Sequence, residues 1–146
     1  MPQVTTSLLP PARAALIALM DAATTAPVTV ADPGDDRPPE GCVYTGDAEI
    51  VHTFGPMRSG RKPRDEEIDL EVFVEALDPD PTQAEQLVMT IVGQLEDIVA
   101  GDPTLGLDVT PPPVAEISSI SVRIMAETEQ YRCKAECGVT ITTRLN

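Results

Sequence analysis

Few residues in this chain have side chains suited to chemistry. It holds one histidine, His52, and three cysteines, Cys42, Cys133 and Cys137. A Ser/His/Asp or Cys/His nucleophilic arrangement would have to use His52, which stands between Val51 and Thr53 in a stretch that reads as strand. A lone histidine there reads as a surface or interface residue. Cys133 and Cys137 are four apart on a second predicted strand, which sets them roughly 13 Å apart, too far for a disulfide. A zinc site would want shorter spacing together with further His or Cys. The thiols therefore read as small hydrophobes in or near a core, and their odd number suits a reducing compartment. The chain contains no Gly-x-Gly-x-x-Gly and no Gly-Lys-Ser/Thr phosphate loop. The expectation is no catalytic residue, no metal centre and no cofactor.

Charge is the second chemical resource. The chain has 146 residues and carries 10 basic against 24 acidic side chains, a net charge of −14. A duplex reader normally has a basic footprint, which is missing, and aromatic residues for base stacking make up only 3 %. Anionic membrane surfaces are poor partners for the same reason. A strongly acidic domain repels nucleic acid that passes close to it. Asp69, Glu71 and Glu75 fall on one face of a predicted strand. They read as a solvated face, as a charged face serving an assembly, or as a metal or hydrolytic cluster. Four of the ten basic residues, Arg58, Arg61, Lys62 and Arg64, lie together in the segment 55–65. With two Gly, two Pro and no apolar periodicity, that segment reads as a long exposed loop. It reads either as a mobile solvated loop or as a docking arm for an acidic partner, because opposite charge steers association.

Regular elements must position these groups. Residues 7–24 predict a helix, with Ser7 as N-cap, Pro10 and Pro11 in the first turn, and a stripe of Ala12, Ala15, Leu16, Leu19, Met20 and Ala23. Val28–Val30, Cys42–Tyr44 and Ala48–Phe54 predict strands, with a break at Thr45-Gly46-Asp47 and a loop over 32–41. Glu66–Leu77 predicts a half-buried strand. Ile68, Leu70, Val72, Val74 and Ala76 face one way, while Glu67, Asp69, Glu71 and Glu75, with Phe73 among them, face the other. Asp80 as N-cap, Pro81 at N1 and Gln83 at N3 open a helix over 81–100. Its apolar face is Ala84, Leu87, Val88, Ile91, Val92, Leu95, Ile98 and Val99. The C-terminal part predicts a hairpin that turns near Glu127–Gln130. Ile120, Val122, Ile124 and Ala126 alternate on its first strand, and Tyr131, Cys133, Ala135, Cys137, Val139 and Ile141 on its second. The length suits a single domain over 1–146. The order α-β-β-β-β-α-β-β predicts an α+β fold, a mostly antiparallel sheet with two helices on one face. No apolar run approaches a membrane span, and no secretory signal is expected at the N-terminus.

The order of these elements, with several local motifs, resembles the tail terminator proteins of long-tailed, non-contractile bacteriophages, most closely those of actinobacterial phages. The resemblance covers nearly the whole chain. It is carried by the helix Leu8–Ala23, by Val43-Tyr44-Thr45-Gly46, and by the junction running from Arg61-Lys62-Pro63-Arg64 to Asp69-Leu70. The helix 81–100 and the turn Asp102-Pro103-Thr104-Leu105-Gly106-Leu107 complete it. None of these motifs is catalytic; their order carries the likeness, and sibling tail-completion and head–tail joining proteins share it. The resemblance implies a structural protein that forms a hexameric ring on the finished tail tube, ends polymerisation and binds the head connector while DNA passes through the lumen. It implies a place at the virion neck, reached from the host cytoplasm. Arg58, Arg61, Lys62 and Arg64 would then be an assembly loop, and Asp69, Glu71 or Glu75 would line the lumen or a subunit interface. The rival expectations are a small acidic enzyme or a stand-alone binding module.

Overall fold

A computed structural model of the chain describes residues 6–24, 26–34, 41–54 and 64–145. The elements run α1 (Leu9–Ala23), β1 (Val28–Thr29), β2 (Cys42–Phe54), β3 (Arg64–Asp78), α2 (Pro81–Gly101), β4 (Val114–Glu127) and β5 (Gln130–Leu145). The strands form one sheet in the order β1-β2-β3-β5-β4. Only the short β1–β2 contact is parallel; the remaining pairs are antiparallel. This is the expected α+β fold.

Alternation in β3 builds the core. Ile68, Leu70, Val72 and Val74 are fully buried, and their β5 partners Ile141, Val139, Cys137 and Ala135 are too. Against them lie Ala84, Val88, Ile91, Val92, Leu95 and Val99 of α2, and Ala12, Leu16 and Met20 of α1. The α2 start follows its sequence: Asp80 Oδ1 accepts the Thr82 N–H at 2.9 Å, with Pro81 at the first helical position. At α1 the cap falls on Leu8, one residue beyond Ser7, and no side chain caps it.

Three expectations are corrected. Thr45-Gly46-Asp47 does not separate two strands; it is a bulge inside the single strand β2, where register shifts between Thr45 and Ala48. Turn residues suit a bulge as well as a turn, so the order contains one strand fewer before α2. Of the loop expected at 55–65, Arg64 and Asp65 belong to β3, paired with Phe54 and Thr53; Arg58, Arg61 and Lys62 lie outside the described residues. Leu87 is 38 % exposed on the flank of α2, outside its buried stripe. Ile120, Val122 and Ile124 are 40–43 % exposed. They do lie on the helix side of the sheet, opposite buried Cys137, Ala135 and Cys133. The helices cover the inner strands and leave the outer half of β4 bare.

Candidate assembly surfaces

The three acids expected on one strand face have three different environments. Asp69 is exposed and accepts the Thr140 hydroxyl at 2.9 Å. Glu71 is half-buried and accepts the Asp47 N–H at 3.2 Å, satisfying a donor that the β2 bulge leaves free. Glu75 is only 2 % exposed. It accepts the Tyr44 hydroxyl at 2.5 Å and Arg132 Nη1 at 3.3 Å. Glu75 is therefore an interior anchor and not a member of an acidic lumen or interface face. A buried carboxylate needs such partners, because desolvation of an unpaired charge costs several kcal/mol. Arg132 also binds Glu127, tying the β4–β5 turn to the same network.

His52 is not a bare surface residue. Its Nε2 lies 2.7 Å from Glu66 Oε2, and Glu66 Oε1 accepts the Leu8 N–H at 2.8 Å. The Glu66 side chain is fully enclosed, while that of His52 remains 30 % exposed. One carboxylate thus joins the entry of α1 to the β2–β3 ladder, where His52 stands opposite Glu66. The signal was present in the sequence: Glu66 continues the inward period of Ile68, Leu70 and Val72. The three cysteines are free and buried, as expected. Burial, reinforced by Glu96 and then Glu136, pushes the Cys137 thiol up to about 11. Burial and then Glu85 raise Cys133.

The sheet has two unlike edges. On one side, β1 pairs with β2 only at Val43 and Tyr44, so Ala48–Phe54 ladders with β3 alone among the described residues. On the other, β4 has β5 as its only strand partner among the described residues, paired at every position except the bulged Ser118. Side chains above both edges are apolar and solvated: Ile50 is 39 % exposed on β2, and Ile120, Val122 and Ile124 accompany it on β4. Open, long edges with apolar neighbours are templates for pairing with another chain.

Among the described residues, no group of three His, Cys, Asp or Glu side chains is arranged to hold a metal ion. No helix among them is long and apolar enough to cross a membrane. Comparison with known families finds no family model that matches the chain, and comparison with curated proteins finds no match.

Proposed function

We propose that this chain is a structural virion protein that forms a ring on the end of a phage tail tube. The ring ends polymerisation of the tube and joins the tail to the head connector. The observation that carries the reading is the pair of open, apolar, non-identical sheet edges on one small domain. A contact between unlike surfaces is heterologous, and repeating it generates a ring when the rotation closes. The hexameric number comes from the resemblance to tail terminators, and a sibling tail-completion or head–tail joining role uses the same ring. A net charge of −14 per subunit would be multiplied around such a ring, giving a lumen that repels passing DNA without gripping it. Of the three acids Asp69, Glu71 and Glu75, exposed Asp69 and half-buried Glu71 remain available to that lumen or to an interface. Arg58, Arg61 and Lys62, with Arg64 at the start of β3, supply basic charge that lowers the repulsion between acidic subunits, or between the ring and an acidic tube. The protein works at the neck of the virion and is assembled there in the host cytoplasm. Disruption of the gene in the phage that encodes it tests the reading. The expected result is tubes of irregular excess length with few joined particles, seen by electron microscopy. Tails of normal length on joined heads overturn it.

A further inference from the structure

On the face of the sheet away from the helices, two same-sign pairs stand at the two open edges. Glu49 of β2 lies opposite Asp69 of β3, and Arg123 of β4 lies opposite Lys134 of β5. Like charges directly opposite on neighbouring strands repel. The inner member of each pair is occupied: Asp69 accepts the Thr140 hydroxyl, and Lys134 Nζ lies 4.5 Å from the centre of the Phe73 ring. The outer members, Glu49 and Arg123, have no ion-pair partner among the described residues. Among the described residues, one edge therefore presents an unmatched negative charge and the other an unmatched positive charge. Each stands on a stretch, Ala48–Phe54 of β2 or Ser119–Glu127 of β4, whose outward N–H and C=O groups have no ladder partner among the described residues.

We propose that these edges join between copies of this chain: β4 of one copy adds antiparallel to β2 of the next, with Val122 opposite Ile50 and Arg123 opposite Glu49. The inference rests on the ring reading and specifies its seam. The strand direction follows from the topology. β2 is antiparallel to β3, β3 to β5 and β5 to β4, so β2 and β4 run in opposite senses within one sheet. A rotation about an axis along the strands preserves those senses, so the contact it repeats is antiparallel.

The register follows from the side chains and the bulges. The regular part of β2 begins at Ala48, after its bulge, and the regular part of β4 begins at Ser119, after its own. With Val122 opposite Ile50, Ile124 meets Ala48 and Ser119 meets Thr53, so the seam runs between the two irregularities. On the helix side, Val122 and Ile124 cover Ile50 and Ala48. On the other side, the row across the seam reads Lys134, Arg123, Glu49, Asp69. Two repulsive pairs thereby acquire one attractive neighbour between them. A slip of one residue would turn the apolar side chains to the wrong face. A slip of two toward the bulge would set Arg123 against Asp47, which has no ladder partner on β3; a slip of two the other way would set it against Val51. Within one chain the two edges are three strand spacings apart, roughly 14 Å. The same residues cannot meet intramolecularly.

A chain carrying both Ile50→Cys and Val122→Cys, held at high concentration under mild oxidation, tests the seam. The native thiols are buried and do not compete. The expected result is a ladder of disulfide-linked multimers from the double variant and none from either single variant. In that background, Glu49→Arg or Arg123→Glu alone should reduce the ladder at least tenfold, and the two together should restore it. Neither reversal should lower the melting temperature, since each removes a same-sign pair within the chain; this separates loss of the seam from loss of the fold. A missing ladder while electron microscopy still shows rings overturns this seam and leaves the ring reading standing. A missing ladder with no rings overturns both. A ladder indifferent to the charge reversals overturns the register.

Discussion

Replacing Glu66 by alanine should be among the most damaging changes in this protein, although the residue is a charged one near the start of β3. Its side chain is fully enclosed and makes two contacts, to the Leu8 N–H at 2.8 Å and to His52 Nε2 at 2.7 Å. Removing it leaves a buried backbone donor at the entry of α1 without an acceptor, which costs about 1–3 kcal/mol. It also removes the partner of His52 and leaves a void among Leu8, Ile68 and their neighbours, which adds on the order of 1–2 kcal/mol. The total of about 2–5 kcal/mol is a large part of a typical stability of roughly 5–15 kcal/mol. Glu66→Gln retains an oxygen that can accept from Leu8 and should cost less than half as much. Urea unfolding followed by circular dichroism reads the difference; at a slope of about 1.5 kcal/mol per molar, the midpoint of the alanine variant should fall by roughly 1.3–3.3 M. A cycle with His52→Ala isolates the pair, because the coupling of contacting residues appears as non-additivity. An alanine variant within about 0.5 kcal/mol of the parent would refute the role assigned to Glu66.

Two further outcomes follow from the core. Val72→Asp places an unpaired charge at a fully buried position between α2 and the sheet and should abolish cooperative unfolding; an unchanged melting temperature would mean that the register of β3 is wrong. The three cysteines should resist a thiol reagent at pH 8 in the native state and react fully in urea. Because the Cys137 thiol is raised in the folded chain from its ordinary 9.0 to about 11, the unfolded chain ionises first as pH climbs. The contribution of this group is therefore complete below about pH 9 and lost as pH rises toward 11, so stability should decline over that window in a Cys137-dependent way.

Much of the fold is written in local pattern. The alternation of Ile68, Leu70, Val72 and Val74 and the helical stripe from Ala84 to Val99 each place one face against the other. A buried face leaves such a period whatever the rest of the chain does. The misreadings arise where non-local packing decides. Glu75 falls in the outward phase of β3, yet Tyr44 and Arg132, which are distant in sequence, bury and bind it. Gly46 and Asp47 have the composition of a turn, and only the β3 ladder reveals that the strand continues through a bulge. Ile120, Val122 and Ile124 alternate like a core strand, but two helices are too few to cover a five-stranded sheet. That shortfall is invisible to a period of two, and it produces one of the two candidate surfaces. Same-sign pairing across the edges was equally hidden, since Glu49 and Asp69, or Arg123 and Lys134, become neighbours only once register is known.

The central claim is closed, head-to-tail assembly, and the mass of the assembled particle tests it most directly. Mass photometry, at rising concentration and in the presence of isolated tail tubes, should find a discrete ring. At 15.6 kDa per chain, six copies give a particle of about 94 kDa. A protein that stays at the mass of one chain under all of these conditions, or that grows without a closed size, would contradict the account.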